Sequence, residues 1–276
     1  MLCLVPTPIG NLEDISQRSL NILLEAELIF CEDTRVTKKL LNLLADKYKL
    51  DFSSTLSKEF KSFHSHNEEE VLKNLSKDIF TKNVVYCSDA GMPCVSDPGA
   101  SLVDWCIKNS VPYDVLPGAN AILTAYAMSG FSSTEFTFFG FLDHKGVSRA
   151  SKLDEVLNSN RVSILYESPH RLLKLFEELN KKEPNRTIFL VKEISKVYQT
   201  SYKDSSKNLY EKLKNLEIKG EWVVVVEAKE KIGFNLELDD ILPLDIAPKV
   251  KAKLISKLTG ESIKEVYQKL LDKITK

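Results

Sequence analysis

The stretch VVYCSDAGMPCVSDPG, residues 84–99, decides the fold class. A short apolar run, VVYC (84–87), breaks into a segment of Gly, Pro, Asp and Ser, and a segment with helical periodicity follows. A strand, a polar break and a helix in this order form the repeating unit of a parallel α/β sheet. We therefore predict a strand at 84–87 and a helix capped by Asp97, with Pro98 at its first position.

The same order recurs on both sides of this stretch. Further short apolar runs are LCLV (2–5), LIFC (28–31) and YDVL (113–116). A predicted helix follows the first run with Asp14 as its N-cap, and another closes at Gly130. Short buried strands that alternate with helices predict an N-terminal α/β domain over residues 1–117, built on a parallel, doubly wound sheet.

A second α/β pattern begins near Phe136. Its apolar runs are FTFFGFL (136–142), VSILYE (162–167), TIFLVKEI (187–194) and EWVVVVEA (221–228). Ser168 and Pro169 start an amphipathic helix after the second of these runs. We predict a C-terminal α/β domain with a mixed sheet over residues 118–232 and a small basic helical tail over residues 233–276.

The charge of the chain is unevenly distributed. Residues 1–145 carry 13 Lys and Arg against 19 Asp and Glu, whereas residues 146–276 carry 25 against 20. From Ile246 onward the balance is 8 against 3. A basic tail attracts a polyanion such as RNA, although a lysine-rich solvated helix surface explains the same composition equally well.

Several classes of protein are disfavoured. There is no apolar run of transmembrane length and no basic segment before an apolar one at the N-terminus, so we expect a cytoplasmic protein without a membrane span. The five cysteines show no C-x-x-C spacing, and the four histidines form no ligand pattern, so we expect no metal site. The fingerprints G-x-G-x-x-G, G-x-x-x-x-G-K-[ST], H-E-x-x-H and G-x-S-x-G are also missing.

Four polar breaks directly follow predicted strands, at residues 6–11, 88–99, 116–121 and 166–171. Ligands of open parallel sheets bind outside the carboxyl ends of the strands. Ordinary turns use the same residues, so a single break says little, but four of them favour a shared pocket. The residues alone therefore predict an α/β enzyme that acts on a small molecule, without naming the reaction.

Eight segments, taken together, resemble one bacterial family. In chain order they are PTPIGNLEDISQRSL, CEDTR, HSHNE, SDAGMPCVSDPG, LPGANAILTA, GFL, LYESPHRLL and GEWVVVVE. The family methylates a cytidine ribose 2′-hydroxyl in 16S ribosomal RNA of the 30S subunit, and it belongs to the tetrapyrrole methylase superfamily. The resemblance spans roughly residues 2–230. It implies two α/β domains with S-adenosylmethionine (SAM) in the cleft between them, and a homodimer.

The resemblance also implies which residues form the SAM site. They are Pro8, Asp89, Ala90, Gly91, Met92, Val95, Gly118, Asn120, Ala121, Tyr166 and Glu167. Two of them depart from the family pattern, since Met92 stands where threonine is common and Asn120 where serine is common.

A ribose hydroxyl is a poor nucleophile, so a general base would help the reaction. The base candidates in the matching motifs are Asp33, His66, Glu68 and Glu167, and of these His66 and Glu167 are the catalytic residues we predict. Histidine suits the role because it titrates near neutral pH. A surface histidine in a loop is the other interpretation of His66.

For RNA contact the motifs CEDTR, HSHNE and YESPHRL favour Arg35, His66, Asn67 and Arg171. The two arginines suit phosphate because a guanidinium group can bind it through two parallel hydrogen bonds. An internal salt bridge is the alternative for both arginines. Tail lysines could add contacts to the RNA backbone, namely Lys249, Lys251, Lys253 and Lys257.

Two other functions remain open at this point. One is a methyltransferase of the same superfamily that acts on a tetrapyrrole ring of the precorrin type. The other is a ribosome-associated RNA-binding protein without catalytic activity, which a SAM-binding titration would separate from an enzyme.

Overall fold

The four short apolar runs of the first half and one polar segment form the strands of one sheet in the computed structural model, which describes residues 1–50, 58–230 and 237–274. The strands are β1 (Leu2–Leu4), β2 (Leu28–Cys31), β3 (Glu59–Ser62), β4 (Val84–Cys87) and β5 (Tyr113–Val115). All are parallel, in the order β3-β2-β4-β1-β5. The predicted doubly wound sheet is confirmed.

Helices cover both faces of this first sheet. They are α1 (Gln17–Glu25), α2 (Thr34–Tyr48), α3 (Glu68–Lys73) and α4 (Ala100–Lys108), whereas α5 (Ala121–Ser129) packs against the second sheet. Alternate residues along the strands point to opposite faces. Ile29 and Val85 therefore pack with α1 and α2, while Phe30 and Tyr86 pack with α4.

Two predicted helix caps are wrong. Ser16, and not Asp14, caps α1, because its hydroxyl oxygen accepts a hydrogen bond from the Ser19 amide at 3.0 Å. Helix α4 begins at Ala100 after Gly99, so Asp97 caps nothing. Gly99 has a φ of 121°, and a Cβ there would come within 2.5 Å of the Tyr86 ring.

The second sheet is mixed, as predicted. Its strands are β6 (Phe136–Phe141), β7 (Val162–Glu167), β8 (Thr187–Lys192), β9 (Thr200–Ser205) and β10 (Trp222–Val226). They lie in the order β6-β7-β10-β8-β9, and the β6–β7 pair is parallel while the other pairs are antiparallel. One face packs against α6 (Gly146–Asn158), α7 (Pro169–Lys182) and α8 (Ser206–Leu213), and the other against α5.

Residues Met1–Lys229 form one compact unit, and Glu230–Lys276 form another. The second unit contains α9 (Leu238–Ile241), α10 (Pro248–Thr259) and α11 (Ile263–Ile274). Helix α10 ends at Gly260, and Ser262 and Glu265 form the predicted capping box by exchanging backbone-to-side-chain hydrogen bonds of 3.3 Å. Within the described ranges no helix is both long and apolar enough to cross a membrane. The predicted domain limits stay predictions.

Candidate active site

The loops that follow β1 and β4 are joined at the carboxyl edge of the first sheet. Thr7 and Gly91 exchange two backbone hydrogen bonds of 3.0 Å. The buried Thr7 hydroxyl also donates to the Ser88 carbonyl at 3.2 Å and accepts from the Gly91 amide at 3.1 Å. These bonds make the two loops one framework. The sequence alone does not single out Thr7, since its only signal is its position as a polar residue just after a buried strand.

Two adjoining cavities open beside this framework. Their volumes are about 420 Å³ and 80 Å³, and the larger falls within the range of about 300–1,000 Å³ that is typical of ligand pockets. Loops of the first sheet contribute Glu32 and Asp97 to the larger cavity, whereas the second sheet contributes Tyr166, Glu221 and Trp222. Segments from both halves of the unit therefore meet here.

Nine of the eleven predicted SAM residues line these cavities. The larger one includes Asp89, Ala90, Ala121, Tyr166 and Glu167, and the smaller one adds Gly91, Met92, Val95 and Asn120. Pro8 and Gly118 line neither. Gly118 instead lets two loops approach closely, because a Cβ there would lie 2.4 Å from the Cβ of Pro6.

Asn120 has a local role that explains its residue type. Its side-chain oxygen accepts hydrogen bonds from the amides of Ile122 and Leu123, at 2.9 and 3.0 Å, and so caps α5. Serine is an equally good N-cap residue. The asparagine therefore keeps the start of α5 in place without the serine that is common at this position.

Five carboxylic acids line the larger cavity, and Glu32, Asp89 and Asp97 are the three that form no ion pair with a described lysine or arginine. Burial raises the pKa values of Glu32 and Asp89, and burial together with the charge of Glu32 raises the pKa of Asp97 to about 7. Backbone amides hold the first two in place, since Glu32 accepts from the Asp89 amide and Asp89 from the Asp33 amide, both at 3.2 Å. Among the described residues that line the two cavities there is no lysine or arginine. This charge distribution favours a cationic ligand.

Glu167, one of the two catalytic candidates, is tied into an internal ion network. Its buried carboxylate accepts hydrogen bonds from Arg171 Nε at 2.7 Å and from the Ser168 amide at 2.8 Å. Arg149, itself buried, lies 3.8 Å from the other carboxylate oxygen and also binds Glu178 at 2.8 Å. This network fixes the end of β7 against the start of α7.

Arg171 takes part in that network and is mostly buried, with a side-chain exposure of 16%. It also donates a hydrogen bond to the Leu142 carbonyl at 2.9 Å. Its surroundings therefore match the internal salt bridge that was the alternative to RNA contact.

His66, the other catalytic candidate, is exposed and lines neither of the two cavities. Its amide donates to His64 Nδ1 at 3.3 Å. The side chain of Asn67 braces the same loop, because it accepts from the His64 amide at 2.8 Å and donates to the Ser62 carbonyl at 3.0 Å. Asn67 is therefore engaged in its own loop.

The remaining RNA candidates are surface cations. Arg35 has a side-chain exposure of 90% and pairs with Asp33 at 2.6 Å, and its hydrogen bonds lower the pKa of Asp33 to about 2. In the second unit Lys249, Lys253 and Lys257 are exposed, whereas Lys251 donates to the Leu242 carbonyl at 2.8 Å. Arg35 and these three lysines are thus the candidates most accessible to a polyanion.

Solved structures of low sequence identity share the fold. Diphthine synthase superposes with a TM-score of 0.62 at 14% identity, covering 82% of this chain and 89% of the other. Uroporphyrin-III C-methyl transferase from Thermus thermophilus, complexed with S-adenyl homocysteine, gives a TM-score of 0.55 at 16% identity and covers 82% of this chain and 96% of the other.

Sequence comparison gives a nearer relationship. The family model of Tetrapyrrole (Corrin/Porphyrin) Methylases matches residues 1–210. Ribosomal RNA small subunit methyltransferase I of Campylobacter fetus is 47% identical over 273 residues, which cover 98% of this chain and 100% of the relative. The protein of the same name from Haemophilus influenzae is 36% identical, over 97% of this chain and 95% of its own length. The chain therefore belongs to the tetrapyrrole methylase family and, within it, to the group of ribosomal RNA small subunit methyltransferase I.

Proposed function

We propose that the chain transfers a methyl group from SAM to the ribose 2′-hydroxyl of a cytidine in 16S ribosomal RNA, with the 30S subunit as substrate. The proposal rests on the acidic cavity at the carboxyl edge of the first sheet, which nine of the expected SAM residues line. The rRNA substrate follows the names of relatives that match the chain over nearly its whole length. The family resemblance further supports a homodimer in the cytoplasm.

The chemistry of the cavity fits SAM. The cofactor carries a cationic sulfonium and a cationic ammonium group, and carboxyl groups of Glu32, Asp89 and Asp97 face the cavity without a neighbouring lysine or arginine in its lining. Gly91 lines the smaller cavity at a φ of 87°, a backbone conformation that favours glycine and places no side chain in the cavity. The volume of about 420 Å³ suits a ligand of this size. When bound, SAM supplies an electrophilic methyl carbon on its sulfur.

The residues of the chain position the two substrates for the reaction. Methyl transfer needs the attacking oxygen, the carbon and the sulfur nearly in line, with the reacting atoms about 3–3.5 Å apart. Tyr166 is held at the cavity wall by ring contacts with Phe138 and Phe141, at centroid distances of 5.0 and 5.6 Å. The Glu167–Arg171 ion pair holds the end of β7, next to Tyr166, against the start of α7. In this mechanism Glu167 and Arg171 act as positioning residues beside the SAM site.

A labelling experiment tests the proposed function. Purified protein is incubated with methyl-labelled SAM in three separate reactions, which contain 30S subunits, deproteinised 16S rRNA or a porphyrinoid. We expect label on a cytidine ribose of 16S rRNA from the 30S reaction. Label on the porphyrinoid alone would support the tetrapyrrole methyltransferase instead. SAM binding without transfer to any of the three would contradict the proposed reaction.

We further propose that Arg35 contacts the RNA backbone, and Arg35→Ala tests this. Removal of one phosphate contact should raise the KM for 30S subunits severalfold and lower the dependence of log affinity on log salt by about 1. SAM affinity should not change. Arg161→Ala is the matched control, because this exposed arginine also pairs with a carboxylate. Arg161 precedes the amino-terminal end of β7, whereas the cavity lies at the carboxyl end of that strand. An equal effect of both variants would remove Arg35 from the RNA-binding surface.

A further inference from the structure

The two cavities meet along a shared wall. Five residues line both of them, namely Ile9, Ala90, Asp97, Ala121 and Tyr166. Asp97 is the only carboxylic acid among these five. Asp97 therefore borders both cavities, and a general base must lie within hydrogen-bond reach of the proton that it accepts.

The Asp97 side chain neither caps a helix nor has a cationic partner among the described residues. Helix α4 starts only at Ala100, so the Asp97 carboxylate is not used as a cap. Within the described part of the chain no lysine or arginine forms an ion pair with it. A hydrogen bond with the nearby Ser88 hydroxyl lowers the pKa of Asp97, but burial outweighs it.

Other carboxylates near the site are already engaged. Glu167 is paired with Arg171 through Oε1, and its buried Oε2 accepts no hydrogen bond but lies 3.8 Å from Arg149, while Glu32 and Asp89 accept backbone amides. Glu68 accepts a hydrogen bond from the Ser101 hydroxyl at 2.6 Å. None of these four lines both cavities. Their surroundings favour structural and electrostatic roles.

The groups that face Asp97 keep its carboxyl group ready to take a proton near neutral pH. Burial raises its pKa to about 7, and the negative charges of Glu32 and Asp89 add to this. Cys94, Tyr86 and Tyr166 also lie within its field, and burial raises their pKa values so that they stay neutral at pH 7. A base is most effective when its pKa lies near the working pH.

We propose that Asp97 is the catalytic residue that accepts the proton of the ribose 2′-hydroxyl, which rests on the function proposed above. As the O–H bond breaks, the proton goes to a carboxylate oxygen of Asp97. The electron pair of the hydroxyl oxygen forms the bond to the methyl carbon, and the carbon–sulfur pair stays on sulfur, which yields S-adenosylhomocysteine. Asp97 then releases the proton to solvent.

Asp97→Asn tests this assignment while keeping the size of the side chain. At saturating SAM and 30S subunits we expect kcat to fall by about 100-fold or more, with the KM for 30S subunits nearly unchanged. Asp104→Asn is the matched control, since Asp104 is an exposed aspartate on α4 that pairs with Lys108. The control should keep the wild-type kcat. Asp97→Glu should retain part of the activity lost in the asparagine variant.

The pH profile separates a base from a merely structural residue. Because Asp97 must be deprotonated to act, wild-type kcat should rise with pH along a one-proton limb and level off. The limb should lie at or below about pH 7, since the positive charge of bound SAM favours the carboxylate. The residual activity of Asp97→Asn should lack this limb.

The outcomes distinguish the inference from the proposed function. If the wild-type protein fails to methylate 30S subunits, the proposed function is lost. If it does methylate them but Asp97→Asn keeps the wild-type kcat or the same acid limb, only the role of Asp97 is overturned. A wild-type profile without any acid limb down to about pH 5 would also overturn it, whether or not the variant folds.

Discussion

Gly91→Arg should abolish SAM binding and leave the protein folded. Gly91 lies at the wall of the smaller cavity with a φ of 87°, and a Cβ at this position would lie 3.0 Å from Ile9 Cγ2 and 3.6 Å from the Ala119 carbonyl oxygen. An arginine side chain would occupy the cavity and place a cation where the carboxyl groups favour a cationic ligand. The added backbone strain is about 1–3 kcal/mol, which a folded domain tolerates.

Calorimetric titration with SAM, together with circular dichroism, measures both parts of this expectation. Gly146→Arg is the matched control, because Gly146 has a φ of 88° and no atom within 4 Å of its would-be Cβ. It carries similar backbone strain at the start of α6, and it should bind SAM as the wild type does. Normal SAM affinity in Gly91→Arg would show that the loop 88–93 does not form the cofactor site.

Arg149→Met should lower the free energy of unfolding by about 3–5 kcal/mol, since loss of one partner leaves an uncompensated buried charge. Arg149 is 2% exposed and lies between Glu167 and Glu178, where its guanidinium also donates to the Asp143 carbonyl at 3.0 Å. Methionine keeps much of the side-chain volume but none of the hydrogen bonds.

Urea unfolding measures this change in stability. Arg161→Met is the control, because its ion pair with Glu135 is exposed and should contribute about 1 kcal/mol at most. Combining Arg149→Met with Glu167→Gln should recover part of the loss, since the buried carboxylate then no longer needs a cation. A loss below about 1 kcal/mol in Arg149→Met would show that Arg171 alone compensates Glu167.

The central strands could be predicted from the sequence, whereas the polar edge strands could not. The runs at 84–87 and 162–167 are β4 and β7 residue for residue, because a strand buried on both faces is rich in apolar residues, even though β7 includes Ser163 and Glu167. Strands β3 and β9 have the sequences EFKS and TSYKDS and lie at sheet edges. Their pairing with a neighbour, and not their own hydrophobicity, makes them strands.

The helix caps show how tertiary contacts decide between local candidates. Ser16 lies two residues after Asp14, and both are good N-cap residues, so the pattern alone could not choose between them. At α4 the sequence favoured Asp97 next to Pro98, yet the helix starts after Gly99, whose position against the Tyr86 ring has no local signal.

The loops of the candidate site were predictable, but the state of their charged groups was not. Glycines and polar residues at strand ends point to a ligand site from sequence alone. Whether a carboxylate there is paired depends on residues distant in the chain, as in the contact of Glu167 with Arg149. For the same reason Asp97, expected to cap a helix, was not among the base candidates.

The paired hydrogen bonds between Thr7 and Gly91 have a consequence for the thermodynamics of ligand binding. Two loops that are already cross-linked lose little conformational entropy when a ligand arrives, so more of the contact energy is available as affinity. The amides of Thr7 and Gly91 should then exchange slowly with deuterated solvent in the free protein and gain little further protection when SAM is added.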